Sequence, residues 1–241
     1  MTFTHPFVTS RFVVHAGDSY LSQLSLSVLV IDAFTGKQVN APLRVFLKQL
    51  RRLRPLRSQS GFFCFEGNKC FEDGKCFEQI KAGKYTLVVE PDPTTADWFY
   101  LQPLPSGEWT DKFEREITLP MPDPQKPLVT VTFSPKASYP FPANATLVRG
   151  RVIAGANGPG IPGAVVKSTY HQVDPKDNDR TVSVNVETQT DSAGEYVLFF
   201  QKLPGKTQPI TVTATKDGKQ GKRDVNIMEG TTLAADPLQL T

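Results

Sequence analysis

Cysteine and histidine are scarce in this sequence, and long apolar runs are absent. The 241 residues contain three cysteines and three histidines, and the cysteines are bunched in one short stretch. An odd, clustered set of cysteines does not make a disulfide framework. No stretch approaches the roughly 18 uninterrupted apolar residues of a membrane span, and the first ten residues lack the basic start and apolar block of a secretory signal. We therefore expect a cytoplasmic protein.

The motifs of common enzyme classes are also absent. The histidines are His5, His15 and His171, and no second histidine lies near His171 to share a zinc ion. The sequence has no Gly-x-Ser-x-Gly nucleophile motif, no phosphate-binding P-loop and no dinucleotide fingerprint. The cysteines have no base close in sequence that would activate a thiolate. The sequence therefore predicts a protein that is not an enzyme and holds no cofactor.

Glycine, proline and phenylalanine, by contrast, are plentiful, with 17, 20 and 16 residues. This mixture is typical of β-structure with many turns. A formal net charge of +3 is too small to indicate a nucleic-acid partner for the whole molecule. The length suits one large or two ordinary domains.

The first half of the chain contains several strand-like segments. Residues 24–31 begin with alternating polarity and end fully apolar, as a strand that enters a sandwich core does. We predict a first β-sandwich domain over 24–119, preceded by an N-terminal arm over 1–23. Its other predicted strands are 44–47, 61–65, 82–90 and 113–119.

A proline-rich stretch lies between the two halves. Proline fixes φ and lacks an N–H, so we predict an extended linker over 120–146 rather than a flexible coil. One segment of it, 128–133, has the pattern of a strand. The sequence leaves open whether this strand joins a sheet of one domain or pairs with a partner.

In the second half, 147–241, short apolar strands alternate with turns rich in Gly, Pro, Asn and Asp, which is typical of an antiparallel β-sandwich. Four motifs stand out in it. They are Gly150-Arg-Val152, Gly160-Ile-Pro-Gly-Ala-Val165, Thr190-Asp-Ser-Ala-Gly-Glu-Tyr-Val-Leu198 and Thr211-Val-Thr-Ala214. In this order they resemble the carboxypeptidase regulatory-like (transthyretin-like) domain family. Its members are mostly accessory domains, so the resemblance implies a fold and not an activity.

The complete fold prediction is an all-β protein. It has two antiparallel β-sandwich domains of transthyretin-like or Ig-like type, joined by the proline-rich linker. The lead-in Ala137-Ser-Tyr-Pro-Phe-Pro142, before Leu147-Val-Arg-Gly150, is similar to that of accessory proteins of phage-tail-like contractile injection particles. That resemblance implies a cap or baseplate accessory subunit without enzymatic activity.

A hexapeptide that begins Cys-Phe-Glu occurs three times, starting at Cys64, Cys70 and Cys76. Turn dipeptides follow the first two copies, so the insert 64–81 can fold as tight hairpins. Three thiolates suggest zinc, but a structural zinc site needs a fourth ligand and closer pairing. A Cys70–Cys76 disulfide needs an oxidising compartment. We favour a loop insert without metal, in which the cysteines are small, half-buried side chains.

Residues 44–57 form a basic run without an acidic residue. Leucine recurs at every third position from Leu47 to Leu56, a period that suits neither a strand nor an α-helix. The run is compatible with nucleic-acid binding, with docking on an acidic protein and with protection of an edge strand against aggregation. The aromatic interleaving of a single-strand nucleic-acid binder is absent. The candidate partner-binding residues of the run are Lys48, Arg51, Arg52, Arg54 and Arg57.

Trp98, Tyr100 and Trp109 form the richest aromatic region, and nearby prolines place it in a loop or at a sheet edge. Exposed rings there would suit a sugar, although packing in a core or an interface is the commoner use of such residues. We include these three residues among the partner-binding candidates.

The acidic stretch Asp174–Asp179 suggests calcium by its composition, but its spacing departs from the EF-hand loop. We predict a solvated hairpin tip there.

Together these features favour a non-catalytic structural or adaptor subunit of a larger protein assembly. Its partners would be protein subunits, in a homo-oligomer or hetero-oligomer, with no nucleic acid and no insertion into a membrane. The alternative is a β-sandwich module that binds carbohydrate or a surface.

Overall fold

The computed structural model describes residues 12–14, 20–71, 76–95, 98–103, 109–123 and 125–241. Within these ranges the chain forms nineteen strands and one short 3₁₀ turn, Lys48–Leu50. The all-β prediction is confirmed. None of the described segments forms a helix long and apolar enough to cross a membrane.

The strands are numbered in chain order. They are β1 (Phe12–Val14), β2 (Tyr20–Asp32), β3 (Leu43–Leu47), β4 (Leu56–Arg57), β5 (Phe63–Phe71), β6 (Cys76–Glu78), β7 (Gly83–Pro91), β8 (Tyr100–Pro103), β9 (Trp109–Thr110), β10 (Phe113–Leu119), β11 (Leu128–Pro135), β12 (Thr146–Ile153), β13 (Val165–Asp174), β14 (Asp177–Gln189), β15 (Glu195–Phe200), β16 (Thr207–Lys216), β17 (Lys219–Met228), β18 (Thr232–Ala234) and β19 (Leu238–Gln239).

The chain divides into two compact units. The first comprises Met1–Trp98 and Thr110–Phe133, and the second comprises Phe99–Trp109 and Ser134–Thr241. The aromatic segment 99–109, which falls within the predicted first domain, therefore groups with the second unit.

Two sheets build the first unit. One has the order β10-β7-β3, and the other contains β4-β5-β2-β11, with β1 on β2 and β6 on β5. Every second side chain of β2 from Leu26 to Val30 is buried. In β10 the buried side chains are those of Phe113, Ile117 and Leu119. This alternation gives each sheet one buried face, as the apolar pattern of the sequence predicts.

The sequence left open which sheet the strand at 128–133 joins, and the structure places it, as part of β11, in a sheet of the first unit. Its residues Leu128–Phe133 pair in parallel with β2, with Val129 opposite Val28. Val129, Val131 and Phe133 are all at most 2% exposed. The apolar alternate positions of β11 therefore contribute to the interior of the first unit.

The second unit is a β-sandwich of two four-stranded sheets. One contains β15-β12-β18, with β19 also on β12, and the other has the order β14-β13-β16-β17. A single buried cluster takes side chains from both sheets, among them Val152 and Leu198 from one and Val166 and Val212 from the other. Both β18 and β19 run parallel to β12. The sandwich predicted for this half of the chain is confirmed.

The Thr190–Leu198 motif forms a tight turn before β15. The Thr190 hydroxyl donates to the Ile161 carbonyl at 2.7 Å and accepts from the Ala164 N–H at 2.8 Å. The Asp191 carboxylate accepts from the backbone N–H groups of residues 193 and 195, both at 2.9 Å. Gly194 has φ +80°, which favours glycine. These residue types are therefore required by the turn itself.

The acidic stretch at residue 174 is the tip of the β13–β14 hairpin. Asp174 lies opposite Asp177 at the turn, next to a register shift. The Asp174 carboxylate accepts from the Lys176 N–H at 2.9 Å, and the Asp177 carboxylate accepts from the Asp179 N–H at 3.2 Å. The predicted hairpin tip is confirmed, and two of its carboxylates bond to the turn backbone.

Candidate partner-binding site

The basic run connects the edges of the two sheets of the first unit. β3 is the end strand of one sheet, and β4 is the end strand of the other. Both ends of the run therefore lie on edge strands, and the protection of these edges against aggregation stays a prediction. Between them, Lys48–Leu50 forms a 3₁₀ turn. A 3₁₀ helix has three residues per turn, so this single turn spans the interval from Leu47 to Leu50.

A cleft of about 670 Å³ opens beside these two edge strands. Phe46 and Phe63 provide aromatic surface in it, and Pro55 and Pro93 add apolar rim. Four guanidinium groups line it, those of Arg44, Arg51, Arg54 and Arg57. We call this the arginine cleft. Phe46 is part of the basic run, whereas Phe63 lies outside it and reaches the cleft through the pairing of β4 with β5.

The arginines stand over the aromatic rings. The Arg44 and Arg51 guanidinium carbons lie 5.6 and 5.9 Å from the centroid of Phe46. The Arg57 guanidinium carbon lies 5.6 Å from the centroid of Phe63. Cation–π contacts of this kind hold a guanidinium in place while its N–H groups stay available to a ligand.

The basic residues differ in their ion pairing. Arg44 bonds Glu90 at 2.7 Å, and Lys48 lies 3.7 Å from Glu114. Lys112 bridges the same two glutamates, at 3.6 Å from Glu90 and 2.6 Å from Glu114. The bond from Lys112 lowers the pKa of Glu114, with a smaller contribution from Lys48. Lys48 therefore belongs to a surface ion-pair network of the first unit.

Arg51, Arg52, Arg54 and Arg57 form no ion pair with any described residue, and all four are exposed. One acid, Asp92, lines the cleft with them. Its carboxylate accepts from the Thr94 hydroxyl at 2.6 Å and from the Thr94 N–H at 2.9 Å, which lowers the pKa of Asp92. The Asp92 carboxylate is therefore hydrogen-bonded within its own turn, and the arginine cleft keeps an excess of positive charge.

The predicted aromatic residues do not form one exposed platform. Trp98 is half-buried and meets Phe133 edge to face at 5.5 Å between ring centroids. Tyr100 is 6% exposed and stacks edge to face on Tyr139, also at 5.5 Å. Trp109 is half-buried. A buried ring such as that of Tyr100 has no free face on which a sugar could stack. Binding of a partner or ligand by Tyr100 stays a prediction, and the burial of its ring disfavours it.

Within the cysteine repeat, β5 pairs antiparallel with β6, and Cys70 lies opposite Cys76. The side chains of these two residues lie outside the described portion of the structure. Cys64 is a free, half-buried thiol, 3.9 Å from the Ser27 hydroxyl. Among the side chains that are described, no group of three or more His, Cys, Asp or Glu is placed to hold a metal ion.

A strongly shifted titratable group in the second unit is Tyr196. Burial raises the pKa of Tyr196 to about 12, against a small opposing effect of Arg223. Its side chain is 1% exposed, and its hydroxyl has no hydrogen-bond partner among the described residues. A shifted pKa often marks an active site. Here the hydroxyl is enclosed in the core, so the shift reflects packing.

This burial predicts alkaline destabilisation. An unfolded tyrosine ionises near pH 10, whereas folded Tyr196 ionises near pH 12. The folded state thus retains a proton that the unfolded state loses, and the free energy of unfolding falls between these two values by at most about 2 to 3 kcal/mol. Urea unfolding followed by circular dichroism at several pH values measures this slope. Tyr196→Phe is expected to flatten it and to change stability little at pH 7, and parallel slopes in both proteins would contradict the assignment.

No known family model matches this chain, and no curated protein matches it in sequence. Among solved structures it is similar to the shaft pilin SpaA of Lactobacillus rhamnosus GG, with 8% identity and a TM-score of 0.28 over 91% of this chain and 97% of that chain. It is also similar to the minor pilin of Streptococcus agalactiae, with 12% identity and a TM-score of 0.25 over 90% of this chain and 97% of that chain. Similarities at TM-scores this low carry no argument about what this chain does.

Proposed function

We propose that this protein is a non-catalytic structural or adaptor subunit of a larger protein assembly. The observation that carries the proposal is the arginine cleft. It lies beside the edge strands of two sheets and holds two aromatic rings and four guanidinium groups, three of which form no ion pair with a described residue. Arginine and aromatic residues are the types most enriched at the energetic centres of protein interfaces.

The chemistry of the cleft favours an acidic, extended segment of a partner protein. Arg51, Arg54 and Arg57 can each bind a carboxylate through two parallel N–H bonds. The outer edge of β3 offers backbone groups that no described strand occupies, so an extended chain can add there as a further strand. Leu56, which is 47% exposed on β4, adds apolar contact area. Charge would then orient the partner, and strand pairing would hold it.

The finer assignment rests on sequence resemblance. The second unit is proposed to be a carboxypeptidase regulatory-like domain, which agrees with the turn geometry of Thr190, Asp191 and Gly194. The assembly is proposed to be a phage-tail-like contractile injection particle, in which this chain is a cap or baseplate accessory component in the cytoplasm.

Carbohydrate binding is the less favoured function. It depends on Trp98, Tyr100 and Trp109, and two of these rings pack edge to face against other aromatic side chains. Nucleic-acid binding would also use the arginines. A single cleft on a protein with a net charge of +3 offers few contacts along a phosphate backbone, so this function is less favoured.

Reversing the charge of the cleft is expected to release the protein from its assembly. In a gently lysed extract the native protein should sediment with particles far heavier than its own 26.6 kDa. The triple variant Arg51→Glu, Arg54→Glu, Arg57→Glu should stay near the top of the gradient, because losing each buried charge pair costs several kcal/mol and weakens binding by about 100-fold or more. Negative-stain images of the heavy fraction would show the assembly.

A matched control changes the same charge elsewhere. Lys206, Lys219 and Lys222 are exposed residues of the second unit, and their replacement by glutamate should leave the heavy fraction unchanged. Circular dichroism and thermal melting establish that both variants are folded. The proposal fails if the native protein sediments as a monomer or dimer, or if the control loses the heavy fraction as the cleft variant does.

A further inference from the structure

The four-stranded sheet β14-β13-β16-β17 ends on one side in a long strand with an open edge. β14 is 13 residues long and pairs with β13 from Val165 opposite Gln189 to Val173 opposite Thr181. Across the described residues of the chain, no strand pairs with its other edge. The backbone N–H and C=O groups on that side are therefore available to another strand.

The opposite edge of the same sheet is protected, whereas β14 is not. β17 carries four charged residues among its first six, 219–224, and Arg223 forms an ion pair with Asp236 beyond β18. In β14 the six residues Thr181–Val186 contain no charge, proline or glycine, and half of them are valine. The pairing with β13 has no bulge over this stretch. Charge, proline and bulges are the devices by which proteins block edge pairing, and this stretch has none of them.

The side chains of this stretch alternate between two environments. Val182, Val184 and Val186 are half-buried, and the last two pack against the core cluster of the second unit. Thr181, Ser183 and Asn185 are exposed. A strand added with the same alternation would continue both the apolar face and the polar face of the sheet.

We propose that β14 pairs with β14 of a second copy of this chain, antiparallel about a two-fold axis, with Val184 opposite Val184. In an antiparallel pair, residues that lie opposite each other point to the same face of the sheet. When the two strands are identical and related by a two-fold axis, one residue must therefore lie opposite its own copy, and the register is named by that central residue. The joined sheets would form one sheet of eight strands, four from each copy. This surface is separate from the arginine cleft and does not depend on the proposed assembly.

Charge selects this register. Centring on Ser183 would place Asp179 opposite Glu187, and centring on Val182 would place Asp177 opposite Glu187. Like charges directly opposite one another destabilise a sheet. Centring on Val184 gives the longest overlap without such a pair. Its opposite positions are Val182 with Val186, Ser183 with Asn185, Thr181 with Glu187 and Asp179 with Gln189.

The register predicts opposite effects for two double variants. Ser183→Lys with Asn185→Lys places like charges opposite one another across the interface, twice, and should weaken dimerisation at least about tenfold. Ser183→Lys with Asn185→Glu places opposite charges there and should preserve or strengthen the dimer. Both positions are exposed, so both variants should fold, which circular dichroism checks.

Analytical ultracentrifugation of the purified protein measures the outcome. The native chain should sediment as a species of twice its 26.6 kDa mass, the lysine–lysine variant should shift to the monomer, and the lysine–glutamate variant should remain a dimer. A monomeric native protein would overturn the proposal and would leave the β14 edge to a different partner. Equal dimerisation of both variants would overturn it as well, because the copies would then meet through another surface. The assay uses no partner, so it gives the same answer whether or not the proposed assembly exists.

Discussion

Replacing Gly194 by alanine is expected to lower the free energy of unfolding of the second unit by about 3 to 5 kcal/mol. Its φ of +80° is a conformation that costs an L residue about 1 to 2 kcal/mol. In addition, an alanine Cβ would lie 2.7 Å from the Cα of Gly160 and 2.8 Å from the Val152 carbonyl oxygen. These are backbone atoms of neighbouring segments, so the clash is relieved only by moving the turn that Thr190 and Asp191 hold.

Other glycines of the same unit separate the two contributions. Gly155 has φ +72° but open space around its Cβ position, so Gly155→Ala should cost only the backbone strain, about 1 kcal/mol. Gly205 has open space and no positive φ, so Gly205→Ala should leave stability within about 0.5 kcal/mol or raise it slightly. Urea unfolding of the three variants should rank them in this order. Equal losses at residues 194 and 155 would mean that the backbone clash has no effect.

Gly150→Ala is expected to destabilise the second unit by about 2 to 3 kcal/mol for a different reason. Gly150 lies opposite Tyr196 in the pairing of β12 with β15, and the tyrosine ring covers it. A Cβ at residue 150 would lie 2.5 Å from the Tyr196 Oη and 2.7 Å from its Cζ. The ring is 1% exposed and is held by the core, so it cannot swing into solvent to make room. Overpacking of this kind typically costs about 1 to 3 kcal/mol.

A double-mutant cycle tests that cause. In a Tyr196→Leu background the ring is gone, so adding Gly150→Ala should cost at least about 1 kcal/mol less than it does in the native protein. The same cost in both backgrounds would show that the glycine is needed for the backbone of β12 and not for the ring.

Much of the strand arrangement could be predicted from local pattern. The segment 113–119 is β10, and 24–31 lies within β2. The hairpin tip at residue 174 could be predicted from its acidic composition. The length of β14 could not, because its first residues, 177–181, are all exposed and show no apolar alternation. The parallel pairing of β11 with β2 joins residues a hundred positions apart, and no local pattern specifies such a partner.

The candidate site could be predicted only incompletely, for the same reason. The positive charge of residues 51–57 is visible in the sequence, and so is the mixture of leucine and proline that ends the run. Phe46 is visible within the run as well, but its meeting with Phe63 in one cleft is not, because β3 and β5 belong to different sheets. The burial of Tyr100 could not be predicted from local sequence either, because its ring packs against Tyr139, 39 positions later in the chain.

The parallel placement of β18 and β19 on β12 affects how the second unit responds to tension. In a parallel pair, the beginning of one strand and the end of the other lie at opposite ends of the ladder. A pull between Thr146 and Leu240 therefore acts along the strands, and the bonds Leu147 N–H to Thr231 O, Ala235 N–H to Arg149 O and Leu240 N–H to Ile153 O, at 3.0, 2.7 and 3.2 Å, resist it in shear. Bonds sheared together share the force, whereas an antiparallel pair pulled from its open end would separate rung by rung.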